Sequence, residues 1–318
     1  MPRTLLTGAN GFVGKILCST LQQAGHHVIA LSSGDSTTSL ADENIVCDIR
    51  DYDQLEGAVR QAKPDYVIHL AAVSNVAVSF KDPMLTWQTN VMGTLNLLEA
   101  LRLEAPKAFF VFVSSSEVYG EAFKAGVPLT EDAPCLPMNP YAASKLAAEL
   151  AVIQAFRQGM PGVTLRPFNH IGVGQSADFV TASFARQIAL IEAGQQTPQL
   201  KVGNLQAERD FLDVRDVCNV YVDVLKLASR SEEYPRVLNI SSGEPRKIQT
   251  ILDTLLKLSD QKIEVVQDAE RMRPSDIPSA SGNSEAIRAL TGWQPQYDLR
   301  QTLDDLLNHW RQTTNSAA

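Results

Sequence analysis

Several features that would assign a chain at once to a functional class are scarce or missing in this sequence. The net charge is −8 and there is no lysine- or arginine-rich tail, so nucleic-acid binding has no electrostatic support. The apolar runs are too short to cross a bilayer, which argues against a membrane protein. No internal repeat or low-complexity segment occurs. The four cysteines, which lack CxxC spacing and argue against a metal site or a disulfide framework, are Cys18, Cys47, Cys135 and Cys218.

The amino terminus and the cysteines also bear on location. Met1, Pro2 and Arg3 run directly into an apolar strand, so we expect no signal peptide. Scattered free thiols are typical of a reducing compartment, and we therefore expect a cytoplasmic protein. The 318 residues allow one large α/β domain or two smaller ones.

A glycine-rich turn follows the first predicted strand, residues 4–7. Gly8, Gly11 and Gly14 lead into a helix, and a second strand is predicted at 27–31. Glycines here let the backbone turn tightly and approach a pyrophosphate, which would lie on the amides at the helix N-terminus. The spacing is GxxGxxG, not GxGxxG. This context predicts dinucleotide binding, with an ordinary glycine turn as the alternative.

Strands and helices keep alternating after this unit. We predict strands at 66–70, 109–113, 162–166 and 235–240, and helices at 84–102, 141–157, 209–229 and 248–258, with further strands at 200–203 and 263–267. The pattern predicts an α/β fold, a Rossmann-type doubly wound parallel sheet with ligands at the carboxyl ends of its strands. The expected dinucleotide-binding domain comprises residues 1–171 and about 208–241. A smaller, discontinuous substrate domain would comprise about 172–207 and 242–318.

One helix start carries candidate chemistry. Asn139 can cap a helix and Pro140 suits its first turn. Tyr141 and Lys145 are four residues apart, so they share one helical face. An ammonium near a phenol favours the phenolate, and we expect a lowered pKa for Tyr141 and a role in proton transfer to an alcohol/ketone pair. An ordinary surface helix is the alternative, because YxxxK is common by chance.

These motifs, in this order, resemble those of the extended short-chain dehydrogenase/reductase family over nearly the whole chain. The resemblance implies that Ser115 polarises a substrate carbonyl, that Tyr141 is the acid/base, and that Lys145 lowers the pKa of Tyr141 and holds the nicotinamide ribose. Ser115 also follows a predicted strand, where an oxyanion-type donor is expected. His69 is expected to pack beside the cofactor rather than to take part in catalysis.

The same resemblance implies a set of cofactor contacts along the chain. These are Gly8, Asn10, Gly11, Phe12, Val13, Gly14, Ser32, Ser33, Asp48, Ile49, Leu70, Ala71, Ala72, Asn90, Tyr141, Lys145 and Pro167. An NAD enzyme usually has an acidic residue at the end of the second strand, where this chain has Ser32 and Ser33, with Asp35 a little beyond. Serines can hydrogen-bond a 2′-phosphate, so NADP(H) is favoured and NAD(H) stays open.

Within the family, the C-terminal half is similar to the branch that reduces GDP-4-keto-6-deoxy-D-mannose to GDP-D-rhamnose. The segments concerned are RPFNHIG (166–172), GQ (174–175), FV (179–180), VGN (202–204), RDF (209–211), DVRD (213–216) and ERMRP (270–274). Val173 stands where a proline is expected. This similarity implies substrate contacts, with surface ion pairs or solvated side chains as the alternative: Ser116, Asn169, Val180, Arg186, Arg209, Arg273 and Asp276.

The sequence leaves other activities open. Glu117 is a carboxylate close to Ser115, as in a GDP-mannose 4,6-dehydratase, where a base removes the proton next to the keto group. A nucleotide-sugar 4-epimerase and a non-catalytic dinucleotide sensor on the same fold are further alternatives.

We also expect a homodimer. The helices predicted at 84–102 and 141–157 carry apolar residues on more than one face. Members of the family often pair these helices between subunits as a four-helix bundle.

Overall fold

A parallel sheet of seven strands forms the centre of the molecule, and the computed structural model describes residues 1–34, 40–271 and 277–316. The strand order is β10-β6-β5-β4-β1-β2-β3, and each neighbouring pair is parallel. Its strands are β1 (Arg3–Thr7), β2 (His27–Ser32), β3 (Glu43–Val46), β4 (Tyr66–His69), β5 (Phe109–Val113), β6 (Gly162–Pro167) and β10 (Val237–Ile240). The order reverses between β1 and β4, and a crevice for a ligand forms at such a point.

The predicted doubly wound α/β sheet is confirmed. All five residues of β5 are buried, as expected for a strand covered by helices on both faces. The helices are α1 (Phe12–Gln23), α2 (Tyr52–Ala62), α3 (Val76–Lys81), α4 (Pro83–Trp87), α5 (Gly93–Glu104), α6 (Pro140–Arg157), α7 (Val180–Glu192), α8 (Val214–Asp223), α9 (Ile248–Leu256), α10 (Glu285–Thr291) and α11 (Leu299–Ser316). Leu5 and Leu6 of β1 belong to the cores on opposite faces, because successive side chains alternate along a strand.

Smaller sheets carry the rest of the chain. They contain β7 (Asn169–Ile171), β8 (Gln199–Val202), β9 (Glu208–Asp213), β11 (Pro245–Lys247), β12 (Glu264–Gln267) and β13 (Ser279–Ala280). Strand β9 pairs with β7, β11 and β13, and β12 pairs with β8. A separate core of α7, α9 and α11 packs beside them. We propose that this unit and the central sheet correspond to the two expected domains, with different bounds: β7 and β9 lie in the smaller unit, although residues 169–171 and 208–213 were expected in the dinucleotide-binding domain.

Two predictions of secondary structure were wrong. Residues 208–213 form β9 of the smaller unit and only then enter α8, so the helix does not begin at Arg209. The long helix expected at 84–102 is divided into α4, a π-helical turn (Gln88–Met92) and α5. A π turn of this kind is frequent at functional sites, because it redirects a side chain without ending the helix.

Among the residues that the structure describes, none of the helices combines the length and the apolar character needed to span a membrane.

We expect Gly14→Ala to lower the free energy of unfolding by about 2 kcal/mol or more, because a Cβ there would lie 2.3 Å from the Gly8 carbonyl oxygen. Urea unfolding followed by circular dichroism measures the change. The matched control is Gly57→Ala on the exposed side of α2, where a Cβ meets nothing within 4 Å and should stabilise the helix by about 0.5–1 kcal/mol. Equal stability of Gly14→Ala and the unchanged protein would contradict this packing.

Candidate active site

The glycine turn after β1 forms a cradle against the end of β4. Gly8 has a φ of +72°, and a Cβ on it would lie 2.8 Å from the Ala71 amide nitrogen. Gly11 precedes α1 in extended conformation, and no side chain caps this helix. The first-turn amides of α1, including those of Phe12 and Val13, are therefore placed to receive an anion. This geometry fits a dinucleotide pyrophosphate, as the sequence predicted.

Two of the expected cofactor residues, Asp48 and Ile49, are held by contacts that the sequence did not reveal. Ile49 is buried against α5. It packs so closely on Gly93 that a Cβ added to this glycine would lie 2.6 Å from the Cδ1 atom of Ile49. The carboxylate of Asp48 accepts hydrogen bonds from the Arg50 guanidinium, which lowers the pKa of Asp48. Arg50 therefore orients the carboxylate of Asp48, one of the expected cofactor contacts.

The other predicted cofactor residues lie at strand ends. Ser32 ends β2 and Ser33 follows it in an exposed bend. Ala72 lies in the loop after β4, and Pro167 ends β6. Asn10 and Leu70 lie in the turns after β1 and β4. Parallel strands bring these carboxyl ends to one edge of the sheet, while Asp35 falls outside the described residues.

Helix α6 begins as predicted. The Asn139 side chain accepts a hydrogen bond from the Ala142 amide at 2.8 Å, and Pro140 occupies the first turn. The Tyr141 amide donates to the Ser79 hydroxyl of α3 at 3.2 Å. Tyr141 and Lys145 are both buried, with exposed fractions of 9% and 4%. The face that they share therefore packs onto the protein rather than facing solvent.

The surroundings of Tyr141 overturn the expected direction of its pKa. Burial raises the pKa of Tyr141 to about 12. Ser115 acts in the opposite direction and lowers this pKa, whereas the negative charge of Glu117 raises it further. The expectation of a lowered pKa was wrong, since desolvation of the phenolate outweighs the stabilisation that its neighbours offer. The phenol therefore holds its proton at neutral pH and is placed to donate it.

Lys145 shows the opposite effect of burial. Desolvation lowers its pKa to about 8, and the Glu149 carboxylate one turn further along α6 opposes that change. The ammonium nitrogen lies 4.8 Å from the centre of the Phe112 ring, a cation–π contact that favours the charged form. Lys145 is therefore a cation whose charge changes within the ordinary range of enzyme assays.

Asn90 ties two parts of the site together from the π turn. Its amide group accepts from the Val73 nitrogen at 2.7 Å and donates to the Val73 oxygen at 3.1 Å. It also donates to the Ser144 hydroxyl at 2.9 Å, and Ser144 donates to the Tyr141 carbonyl. Asn90 thereby fixes the loop after β4 against the helix that carries Tyr141 and Lys145.

His69 lies in a buried chain of hydrogen bonds. Its ring nitrogens contact the Thr7 hydroxyl at 2.6 Å and the Thr94 hydroxyl at 3.1 Å. The Ala71 amide also donates to Thr7, which links the chain to the glycine cradle. Burial and the Lys145 charge lower the pKa of His69 to about 3, so its ring is neutral. This environment agrees with the expected packing role.

Glu117 belongs to the site as well. It lies in a 3₁₀ turn capped by the Ser115 hydroxyl, which accepts from the Glu117 amide at 3.2 Å. The Asn139 amide donates to the Glu117 carboxylate at 3.1 Å. The carboxylate charge acts on Tyr141 and on Arg209. A carboxylate therefore lies beside the phenol and the serine hydroxyl.

The expected substrate residues are distributed over the smaller unit. Asn169 begins β7, which pairs with the β9 strand that carries Arg209, while Ser116 is buried in the 3₁₀ turn. Arg209 donates to the carbonyls of Glu208 and Ile277. The structure leaves Val180 and Arg186 exposed, at the first residue and on the outer face of α7. Arg273 and Asp276 lie outside the described residues.

Sequence reasoning missed one buried cluster next to the site. Glu149 of α6 accepts hydrogen bonds from Ser114 and Arg166, at the ends of β5 and β6. Its position one turn beyond Lys145, inside an alanine-rich helix, was the signal that could have identified it. A carboxylate on the buried face of such a helix needs a partner, because burying an unpaired charge is costly.

Together these groups can protonate a carbonyl oxygen held between Ser115 and Tyr141, next to a cradle for a dinucleotide. Within the described ranges, no cluster of three or more His, Cys, Asp or Glu side chains is arranged to hold a metal ion. Proton transfer and hydrogen bonding are the chemistry that this arrangement offers.

Comparison with known proteins agrees with this geometry. The chain is 39% identical to a GDP-6-deoxy-D-mannose reductase of Pseudomonas aeruginosa, over 97% of each protein. The structure of RMD from Pseudomonas aeruginosa complexed with NADPH superposes with a TM-score of 0.85 at 36% identity, covering 98% of this chain and 99% of that one.

A more distant structure shares the same fold. The UDP-glucose 4-epimerase of Thermus thermophilus in complex with NAD has a TM-score of 0.83 at 28% identity, covering 97% of this chain and 99% of that chain. Residues 5–306 match the sequence profile of the GDP-mannose 4,6-dehydratase family. The chain therefore belongs to this family of extended short-chain dehydrogenases/reductases, and it is a nucleotide-sugar oxidoreductase that uses a nicotinamide dinucleotide.

Proposed function

We propose that the protein reduces the 4-keto group of GDP-4-keto-6-deoxy-D-mannose to give GDP-D-rhamnose. The observation that carries the proposal is the burial of Tyr141 and Lys145 on one face of α6, with the Ser115 hydroxyl close enough to act on the pKa of the phenol. The full-length similarity to a GDP-6-deoxy-D-mannose reductase supports this substrate.

In this proposal each catalytic residue acts at the substrate carbonyl oxygen. The reduced nicotinamide supplies the hydride for the carbonyl carbon. Ser115 donates a hydrogen bond to the oxygen as negative charge develops on it, and Tyr141 transfers its proton there. A phenol whose pKa is raised to about 12 is suited to this step, because it is protonated throughout the neutral range. Lys145 stabilises the phenolate that remains.

The smaller unit would bind the nucleotide part. Asn169 and Arg209 lie on paired strands, and a guanidinium can contact two phosphate oxygens at once. Val180 and Arg186 of α7 would lie near the base, and Ser116 near the sugar. Arg273 and Asp276 would also contact the substrate, as the sequence similarity alone implies.

NADPH is the cofactor that we propose. Ser32 and Ser33 lie at the end of β2, where hydroxyl groups accommodate a 2′-phosphate and a carboxylate would repel it. The structure of the Pseudomonas aeruginosa neighbour in complex with NADPH supports this preference, while the epimerase neighbour is in complex with NAD. Apparent affinities for NADPH and NADH, measured by nicotinamide fluorescence, test it, and tighter binding of NADH would contradict it.

A carboxylate beside the phenol favours a second candidate, a GDP-mannose 4,6-dehydratase. Such an enzyme needs a base for the proton next to the keto group, and the Glu117 charge acts directly on Tyr141. The two activities separate in one assay. A reductase consumes NADPH when GDP-4-keto-6-deoxy-D-mannose is added, and the product is identified by chromatography and NMR. A dehydratase instead converts GDP-mannose without net consumption of added NADPH.

We further propose that the protein works in the cytoplasm as a homodimer. The helices expected to pair between subunits carry large apolar side chains that are exposed in the single chain. They are Met84, Trp87, Met92, Leu95, Leu103 and Leu150, and Val78 and Phe80 of the preceding helix α3 are exposed as well. Four helices from two subunits would cover this surface. The described cysteines are all free thiols, which suits a reducing compartment.

Tyr141→Phe should lower turnover by at least about a hundredfold, because it removes the proton donor and leaves the ring in place. Loss of reduced-cofactor absorbance measures turnover, and fluorescence titration measures cofactor binding, which should change little. Full turnover in this variant would contradict the mechanism.

The rate should fall as the pH rises above about 8. Burial lowers the pKa of Lys145 to about 8, so its ammonium is present below this pH and is lost above it, whereas Tyr141 stays protonated. Turnover measured between pH 6 and 10 at saturating substrate checks this, with circular dichroism to show that the fold persists. A constant rate between pH 8 and 10 would be incompatible with this role of the lysine.

Leu150→Glu should dissociate the dimer, since the leucine is 60% exposed on α6 and would become buried between subunits. Light scattering should then report a single chain of about half the mass. Val265→Glu, which adds the same charge at an exposed site on β12, is the matched control and should stay dimeric. A monomeric unchanged protein would contradict the assembly.

A further inference from the structure

A buried ionic cluster lies next to the proposed catalytic groups, and its members, Ser114, Glu149 and Arg166, are not among the residues expected to bind cofactor or substrate. Glu149 is fully buried and Arg166 is 5% exposed. The guanidinium of Arg166 donates from Nη2 to Oε1 of Glu149 at 2.5 Å, and from Nε to both carboxylate oxygens at 3.2 and 3.3 Å. The Ser114 hydroxyl donates to Oε2 at 2.5 Å. The carboxylate is thereby held from two strands at once.

Stability alone does not account for this cluster. Removing two charges from water costs several kcal/mol for each ion, and apolar replacements of buried pairs are often neutral or stabilising. The position of the cluster is more informative than its strength. Both groups that bind Glu149 are chain neighbours of site residues, because Ser114 precedes Ser115 and Arg166 precedes Pro167.

The cluster also extends towards the Glu117 turn and the smaller unit. Arg166 donates to the Tyr119 hydroxyl at 2.9 Å and lies over its ring, and Tyr119 donates to Asn239 of β10 at 2.7 Å. The Asn239 side chain donates in turn to the carbonyls of Leu129 and Asn283. Hydrogen bonds therefore link the ends of β5, β6 and β10, directly or through Tyr119, to one carboxylate on α6.

Charge connects the same carboxylate to Lys145. Glu149 lies one turn from Lys145 on α6 and raises the lysine pKa against the larger effect of burial. From β4 the neutral ring of His69 faces the ammonium, and from β5 the Phe112 ring does. From α6 itself comes Tyr141, which is protonated at neutral pH. Among the residues that the structure describes, Glu149 is thus the negative charge that acts on the Lys145 ammonium.

We propose that Glu149 is a positioning residue of the active site, which holds the ends of β5 and β6 against α6 and keeps Lys145 charged. It acts through Ser114, Arg166 and Lys145 and does not contact the substrate. The inference rests on the proposed function, since the charge on Lys145 matters only where that lysine supports Tyr141 and the cofactor.

The test compares the pH dependence of turnover in charge-changing and charge-keeping variants. In Glu149→Gln, which keeps the size of the side chain, the midpoint of the alkaline fall should move down by about one pH unit, because Lys145 loses its nearby negative charge. Glu149→Asp keeps the charge but reaches less far, so turnover should fall while the midpoint stays near pH 8. Ser114→Ala should likewise lower turnover without moving the midpoint.

A double variant covers the case in which Glu149→Gln leaves Arg166 unpaired and does not fold. Glu149→Gln with Arg166→Gln removes both charges, and its midpoint should also move down. An unchanged midpoint in the folded Glu149→Gln or double variant, with only a lower melting temperature, would reduce the cluster to a structural ion pair. An equal shift in Glu149→Asp would also overturn the proposal.

A second readout separates this inference from the proposed function. NADPH affinity, followed by nicotinamide fluorescence between pH 6 and 10, does not depend on which sugar nucleotide is reduced. If the unchanged protein fails to reduce GDP-4-keto-6-deoxy-D-mannose, the proposed function fails. The affinity profile should still move to lower pH in Glu149→Gln and stay in place in Glu149→Asp, and identical profiles would refute the positioning role.

Discussion

Burial of two ionisable side chains on one face of α6 is the constraint on which the active site depends. Tyr141 and Lys145 are both removed from water, and a medium of low dielectric disfavours the charged form of each group. The phenol therefore keeps its proton, while the ammonium releases one more easily. The same packing thus provides a proton donor, Tyr141, and a cation, Lys145, whose pKa lies close to neutral pH.

Such packing is possible because the polar groups around it have partners. Asn90 satisfies the backbone of Val73 and links it to α6. The hydrogen bonds from Thr7 through His69 to Thr94 likewise satisfy buried polar groups and link β1, β4 and α5. Buried polar groups that are fully paired fix one arrangement, whereas unpaired ones would be costly. The site therefore rests on elements that cannot shift independently.

The smaller unit is the part of the fold that local sequence patterns described least well. Strand β9 runs directly into α8, with Asp213 as both the last strand residue and the cap of the helix. No glycine or proline separates the two, so the segment was predicted as one helix. All three strands that pair with β9 are more than 30 residues away in the sequence, β7 before it and β11 and β13 after it. Strand formation there depends on contacts that no local window contains.

The π turn at Gln88–Met92 has a similar origin. The apolar pattern of 84–102 is continuous, and nothing local marks the change of helical register. Asn90 sits in that turn because its amide is held by Val73 and Ser144, which lie before and after it in the chain. The prediction of one uninterrupted helix was therefore wrong at this turn, because the change of helical register depends on tertiary contacts.

The sequence by itself determined the glycine cradle, the buried strands of the central sheet, the Asn139 cap and the shared face of Tyr141 and Lys145. These features depend on residues within one or two turns of each other, so spacing reveals them. Only the tertiary structure decided the direction of the Tyr141 pKa and the pairing of Glu149 with Arg166. Both depend on how much water the fold excludes and on which distant strand ends it brings against α6, and neither quantity is written in local spacing.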